Sequence, residues 1–302
     1  IFILVFIEPT GEKYQLPGFS VLFSIVFMIG SLASFIYFIH SISQEIQIDN
    51  ILLKIFSDSA THLEKVIKTE KECDSEAPDS KDWIQFKAKK DGYFSTLSVD
   101  ALVNIANDNN TKIEIVSNKG SYCHAEALLF KVKDDIKEEA IEEIYNNFYY
   151  SKSQLISDNY LLSFKQITEV AVKAMSPGIN DPGTALNAID YLSQLFILRV
   201  QKKDMNLIHT DNNVVVILNT VNFKELIYNV MASLRAYCSH DVMIVRELLA
   251  MLKNATRKVI DKNYKEVIEE EIRLLLMDAK REIANEEDMK RIEEFLENYT
   301  KN

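Results

Sequence analysis

Between Phe19 and Gln44 the chain reads FSVLFSIVFMIGSLASFIYFIHSISQ without a single Asp, Glu, Lys or Arg. About 20 such residues, rising about 1.5 Å each, cross a hydrocarbon core of roughly 30 Å. A transmembrane helix is therefore the first expectation, with a buried core helix as the competing one. Gly30, Ser31, Ala33 and Ser34 offer small side chains that let another membrane helix approach closely. Residues 1–7, IFILVFI, read as the truncated tail of a preceding span. EPTGEKYQLPG is then the polar turn, and residues 1–44 form the end of a transmembrane hairpin. A secretory signal fits poorly, because neither a basic n-region nor a cleavage site is visible. Lys54, Lys65, Lys68 and Lys71 follow the span, whereas only Lys13 lies in the turn. This bias places the C-terminal bulk on the cytoplasmic side of a bacterial inner membrane.

The remaining composition narrows the function classes. Across 302 residues, 45 acidic side chains oppose 34 basic ones, a net charge of −11. Affinity for phosphate backbones rests on clustered Lys and Arg, so no nucleic acid partner is expected. Cys73, Cys123 and Cys238 are far apart and odd in number, which writes neither a disulfide framework nor a zinc knuckle. No phosphate-binding loop, dinucleotide fingerprint, nucleophile elbow or zincin motif occurs, and the five histidines share no ligand spacing. No metal and no cofactor is expected.

Past the span, Ile48, Ile51, Leu52, Ile55, Phe56, Leu63 and Val66 recur at helical spacing, so residues 45–81 read as a juxtamembrane helix followed by the linker KTEKECDSEAPDSKD. Residues 82–133 switch to alternation: WIQFKAK, YFSTLS, KIEIVS and YCHAEALLFKV predict short strands, with VDALVNIAND as one inserted helix. Residues 134–302 read as a helical domain, with helices near 134–149, 160–175, 182–200, 222–237, 240–259 and 262–298 and a short β-hairpin near 206–218. The expected fold class is thus a membrane-anchored α+β protein: a transmembrane helix, a small β-rich module, then a mainly α-helical cytoplasmic domain.

A chain sparing of Gly and Pro concentrates them in AVKAMSPGINDPGTALNAID, residues 171–190. Pro lacks a backbone N–H and disfavours helical geometry before it, so Ser176-Pro177 ends one helix, and Gly178 lets the chain turn. Asp181 is placed as N-cap of the next helix, with Pro182 at its first position and the Thr184 N–H within reach of the carboxylate. Two readings stand: a rigid capped corner, or a helix N-terminus that with Ser176, Pro177, Gly178, Asn180, Asp181 and Thr184 forms a ligand or anion site. Asp158, Asp181 and Asp190 offer carboxylates for a convergent site there. Arg235, Tyr237 and Asp241 mark a second helix junction, and Arg235 is a possible partner for Asp181. In the last helical segment Glu269–Arg273, Glu286–Lys290 and Glu287–Arg291 are spaced as i,i+4 pairs.

AVKAMSPGINDPGTALNAIDYL resembles the signature of the bacterial predicted membrane proteins known as the domain of unknown function 2254 family. Ser176, Pro177, Gly178, Ile179, Asn180, Asp181, Pro182, Thr184, Ala185 and Asp190 fit its pattern, while Met175 replaces a leucine and Lys173 the usual Arg. YFIHSISQEIQ, DGYFSTLSVDALVNIA and SLRAYCSHDVMIVRELLAML resemble further family segments, whereas SDNYLLSFKQI lacks a frequent Phe-Gly-Leu. The resemblance implies an integral membrane protein with several N-terminal spans, of which this chain keeps little more than the last, and no established activity. The first functional expectation is a non-enzymatic, homo-oligomeric assembly in the lipid bilayer that binds a small-molecule or protein ligand and gates its membrane part. A hydrolase-like enzyme at the Ser-Pro-Gly-Ile-Asn-Asp-Pro corner is the second, and a channel or transporter subunit the third.

Overall fold

The computed structural model describes residues 8–10, 13–15, 18–45, 48–71, 78–152, 160–210, 213–259 and 261–301. The chain divides into two units, residues 1–51 and 52–302. In the first, β1 (Glu8–Thr10) pairs antiparallel with β2 (Lys13–Gln15). Then α1 (Gly18–Glu45) begins. Its segment Val21–Ile39, 19 residues with mean hydropathy 2.3, has no residue buried inside the structure and is long and apolar enough to cross a membrane. Residues 1–7, expected as the end of an earlier span, lie outside the described residues.

The second unit begins within α2 (Ile48–Lys71), an amphipathic helix. Its Leu52, Leu63 and Ile67 are buried in the same core as α5 (Tyr160–Ala174), α6 (Pro182–Arg199), α7 (Phe223–Cys238), α8 (Val242–Thr256), α9 (Lys262–Glu282) and α10 (Glu286–Lys301). The expected linker falls partly on residues 72–77, outside the described residues. A chain of aromatic rings runs through this core, Phe164 to Phe196 to Phe223 to Tyr264, with centroids 4.8, 6.3 and 4.6 Å apart. Spacings of that kind add to the area each ring buries.

One helix was expected over 262–298, and two form. Ile283 turns extended and stays buried, and the Asn285 side chain accepts the Glu287 N–H at 3.0 Å, which starts α10. Asn is a preferred cap because its carbonyl satisfies an N–H with no partner inside the helix. In α9, Arg273 pairs with Glu270 three residues earlier rather than with Glu269. Arg291 does approach Glu287, at 4.0 Å. The helix expected over 134–149 is shorter, α4 (Glu138–Asn146), because Phe148–Ser151 form a strand, β8.

The strands make two sheets. Here β3 (Ile84–Lys87), β7 (Leu128–Val132), β5 (Ile113–Ile115), β10 (Asn213–Asn219) and β9 (Met205–Thr210) form one, in that spatial order. β6 (Tyr122–Cys123), β4 (Gly92–Leu97) and β8 form the other. The inserted helix α3 (Val99–Asp108) buries Leu102, Ile105 and Ala106. β9 and β10 form a hairpin whose second strand pairs parallel with β5, through Val216↔Ile113, Ile217↔Glu114 and Leu218↔Ile115. The hairpin therefore extends the sheet begun by residues 84–132 rather than standing apart. The apolar run VVVIL accounts for this, since a strand between two neighbours has its backbone paired on both sides and its side chains covered. At Gly92, with φ +155°, an added Cβ would lie 3.2 Å from Tyr150 Cβ on the neighbouring strand.

Buried ion pairs help lock this frame. On the sheet, Lys131 Nζ lies 2.9 Å from Glu114 Oε2 and Asn219 donates to the same carboxylate at 3.0 Å. Burial pushes the Glu114 carboxyl up, but hydrogen bonds with Ser80, Lys131 and Asn219 and the Lys131 charge outweigh it and hold it below its ordinary value. Among the helices, Arg235 of α7 pairs with Glu271 and, at 3.1 Å, with Asp278, both on α9. Removing one partner of such a pair strands a charge in a poor solvent. Arg235→Met should destabilise the full chain by about 3 kcal/mol in denaturant unfolding, and adding Glu271→Met should recover most of that loss. A single-variant loss below about 1 kcal/mol would mean that water screens the pair as it does at a surface.

Candidate functional site

The corner between α5 and α6 is closed by its own backbone. Ser176 O accepts the N–H groups of Ile179 and Asn180, both at 3.0 Å, and Ala174 O accepts that of Asp181 at 2.8 Å. The Ser176 hydroxyl donates to Lys173 O at 2.6 Å. Asn180 carries φ +49°, so the left-handed residue is Asn180 and not Gly178. Asn tolerates that region better than any residue with a bulkier or branched side chain, which gives Asn180 its structural purpose. Asp181 caps α6: Oδ1 accepts the Thr184 N–H at 3.1 Å and Oδ2 the Thr184 hydroxyl at 2.6 Å. Those two bonds lower its pKa from the ordinary value.

Asp181 is thus engaged on both oxygens, while Pro177, Gly178 and Asn180 are exposed. Arg235 turns away to α9 instead of pairing with Asp181. Asp241 caps α8 by accepting the Met243 and Ile244 N–H groups at 2.9 and 3.0 Å, and Tyr237 is exposed. Asp158 lies outside the described residues. Asp190 faces Glu247 of α8, whose carboxyl is held above its ordinary value by burial first and then by the charge and hydrogen bond of Asp190, against Arg246. Among the described residues no three His, Cys, Asp or Glu side chains are placed to hold a metal ion.

A different place has the shape of a binding site. A cavity of about 200 Å³ is enclosed by α2, α5, the sheet and the segments joining them. Its walls include Val66, Phe94, Leu97, Ile115, Leu161 and Leu218, and its polar residues include His62, Asn118, Tyr160, Lys202 and Thr220. Lys119, Leu161 and Val221 also line a broader cleft beside it, bounded by α5 and α7. The His62 ring stacks on Tyr160, centroids 6.2 Å apart. Neither cavity includes a residue of the 176–184 corner.

The polar side of the cavity leans on a buried cluster. Lys202 is 1% exposed, and its ammonium donates to Lys203 O at 2.7 Å, Asn206 Oδ1 at 2.9 Å and Thr220 Oγ1 at 3.4 Å. Arg199, fully buried, donates to Lys202 O, Asp204 and Val221 O. Tyr264 donates to Asp204 at 2.7 Å. The Tyr160 hydroxyl is buried beside Arg199 and Thr220. Burial keeps that phenol protonated well above the ordinary tyrosine range.

Sequence reasoning favoured the corner and missed this cluster. One signal was available: Arg199 falls seven residues after Leu192 and three after Phe196, on the apolar stripe of α6. A charge at that spacing marks a buried ion. Nothing in the pattern pointed to Tyr160 or His62.

Residues 1–254 match the family described as "Predicted membrane protein (DUF2254)". The chain belongs to this family. The DUF2254 match covers α1, the corner and every residue named in the cavity wall, and ends within α8, short of α9 and α10. "Uncharacterized protein Mb1321c" of Mycobacterium bovis and "Uncharacterized protein Rv1290c" of Mycobacterium tuberculosis are each 23% identical to it over 289 residues, 90% of this chain and 55% of the relative. The chain therefore spans about half the length of these curated relatives. No solved structure matches.

The corner and the carboxyl pair give two expectations. Asn180→Ala should cost about 1 kcal/mol, because alanine pays for the left-handed backbone, whereas Asn180→Gly should stay within a few tenths. Equal losses in the two variants would assign the role to the side chain. Glu247 binds its proton more tightly folded than unfolded, so its stabilising contribution is complete below the unfolded pKa and fades as pH rises through the folded one. Asp190→Asn removes the repelling charge and should stabilise the protein at neutral pH, with the gain shrinking toward about pH 4. Unfolding curves over that range check this, and a gain independent of pH would refute it.

Proposed function

We propose that this protein is a membrane-anchored, non-enzymatic ligand-binding protein, with α1 in a bacterial inner membrane and residues 52–302 as a cytoplasmic unit that senses a small molecule. The observation that carries the reading is the cavity of about 200 Å³ whose wall includes His62 and Val66 of α2. α2 follows α1 in the chain after only residues 46–47. An occupant of the cavity therefore touches the helix that continues toward the apolar segment. Membership of a family of predicted membrane proteins supports the anchor, as does the exposed apolar surface of Val21–Ile39. Apolar walls with a few fixed polar groups are the usual composition of a small-molecule site. A homo-oligomer joined through α1 belongs to this reading, supported by Gly30, where an added Cβ would meet nothing within 4 Å.

A ligand that binds only the folded state stabilises it by about 2.7 kcal/mol at a hundred times Kd. Full-length protein in lipid nanodiscs, screened against a set of small apolar compounds, should show such stabilisation for some members, together with slower amide exchange in residues 60–67. Val66→Phe, which fills the wall from α2, should abolish both responses. Absence of any stabilising compound, or responses that survive in Val66→Phe, would contradict the reading.

A further inference from the structure

Two spaces adjoin in the second unit, and one charged side chain stands where they meet. The cavity of about 200 Å³ and the broader cleft between α5 and α7 share three lining residues, Lys119, Leu161 and Val221. The cavity side is mainly apolar, with Val66, Leu161 and Leu218 in its wall. The cleft side is mixed, with Ser121, Asn229 and Ser233 beside Lys165, Glu169 and Glu225. A molecule that fills the cavity and extends into the cleft therefore passes Lys119.

Lys119 belongs to the turn that joins β5 to β6. Gly120, with φ +87°, donates its N–H to Phe94 O at 2.8 Å. Ser121 gives both its N–H and its hydroxyl to Asn118 O, at 3.1 and 2.6 Å. Glycine takes the left-handed backbone at little cost, so the turn is pinned on either side of Lys119. The Lys119 side chain is half-buried, and among the described residues it makes no ion pair and no hydrogen bond. The other lysine of the cavity wall, Lys202, is already held by Lys203 O, Asn206 and Thr220. A half-buried ammonium beside an apolar space is screened less than one in open water, so an anion placed there is attracted more strongly. Glu169 and Glu225 line the cleft and not the cavity, so they oppose negative charge spread outward and favour a compact, singly charged head at the join.

Size sets the tail. An engineered apolar cavity of about 150 Å³ holds benzene, so about 200 Å³ suits roughly eight non-hydrogen atoms.

We propose that the cavity takes the tail of a single-chain anionic amphiphile, of the size of a medium-chain fatty acid, whose carboxylate pairs with the Lys119 ammonium where cavity and cleft meet. This rests on the ligand-binding reading above and specifies its ligand. The tail lies against Val66, Leu161 and Leu218, and through Val66 it touches α2.

Three probes with one tail and different heads test it: octanoate, 1-octanol and octylammonium, titrated calorimetrically into the full chain in nanodiscs of zwitterionic lipid. Empty nanodiscs titrated in parallel give the bilayer's own uptake, which is subtracted. Octanoate should bind at least about fivefold more tightly than octanol, a difference of about 1 kcal/mol, and octylammonium should bind no better than octanol. Lys119→Met keeps the apolar stem and removes the charge. It should bring octanoate to within about twofold of octanol and leave octanol unchanged. Should Lys119→Met fail to fold, salt gives the answer on the unaltered protein. Raising ionic strength from about 0.05 to about 0.5 M should weaken octanoate at least about twofold and leave octanol unweakened.

Octanol or octylammonium binding as tightly as octanoate overturns the proposal, as does a preference for octanoate that survives Lys119→Met or is indifferent to salt. If octanol still binds in those cases, and Val66→Phe abolishes its binding, the ligand-binding reading stands without the anionic head. Failure of all three probes overturns the proposal, and failure of the wider compound screen as well removes the ligand-binding reading itself.

Discussion

The arrangement of the second unit depends on one buried guanidinium. Arg199 is the last residue of α6 and has no exposed surface. Its N–H groups reach Lys202 O at 3.0 Å, Asp204 Oδ1 at 2.5 Å and Val221 O at 2.9 Å. Asp204 in turn accepts the Phe223 N–H at the start of α7 and the Tyr264 hydroxyl from α9. One ion pair thereby fixes the end of α6, the start and finish of the β9–β10 hairpin, and the first turn of α7. Burial pushes the Arg199 pKa down, but the hydrogen bond and charge of Asp204 outweigh it and keep the guanidinium charged. Aromatic faces complete the shell: the guanidinium lies 5.6 Å from the Phe223 ring and 5.9 Å from that of Tyr264. A charge so enclosed is tolerated only because carbonyls, a carboxylate and rings replace the water it lost.

That cluster has consequences for the cavity. Because the guanidinium orders residues 199–204 and 220–223, it holds Lys202 and Thr220 at the cavity wall. The same ordering brings β10 against β5, so that Ile115 and Leu218, partners across the parallel ladder, line one side together. The helical core supplies Tyr160 and Leu161 from the first turn of α5, and α2 supplies His62 and Val66. A space left between a sheet and a helical layer, polar on one side only, is where a rigid scaffold offers a shaped solvent to a guest.

Local chemistry was legible in the sequence, and long-range placement was not. The apolar segment of α1, the α6 cap at Asp181 and the α3 insertion follow from hydrophobic run length, Asp-Pro capping chemistry and helical periodicity, each a property of adjacent residues. The β8 strand was misread because FYYS continues a helical pattern in sequence and becomes a strand only through pairing with β4, about fifty residues away. The hairpin's membership in the larger sheet was hidden for the same reason: the pairing of β10 with β5 joins segments about a hundred residues apart. The split at Ile283 was readable in principle, because Asn285 before a Glu pair is a start signal inside an otherwise continuous stripe. At the candidate site the imbalance is sharper. A compact motif such as SPGINDP attracts attention because its residues are contiguous, while the cavity is assembled from α2, α3, α5 and strands of both sheets.

The same geometry explains why the corner is so specific without being a pocket. A short link between α5 and α6 must reverse the chain while both helices keep Ala171, Ala174, Ala185 and Ala188 fully or nearly fully buried. Small side chains there let the two helices lie close, which leaves little freedom for the joining residues. Ser176 must accept two N–H groups, Asn180 must take a left-handed backbone, and Asp181 must cap within one residue of that turn. Each requirement selects a narrow set of residue types, and their sum is a motif that looks like a site. Asp190, two turns further along α6, extends the constraint to α8 through Glu247. The corner thus sets the packing of α6 against α5 and α8, and α6 ends at the Arg199 cluster that borders the cavity. Two helices therefore lead from the motif to the cavity: α5, whose first turn carries Tyr160 and Leu161 in the wall, and α6, which ends at the Arg199 cluster. A distortion at Asn180 reaches the cavity by moving these helices, because no residue of the corner is in its wall.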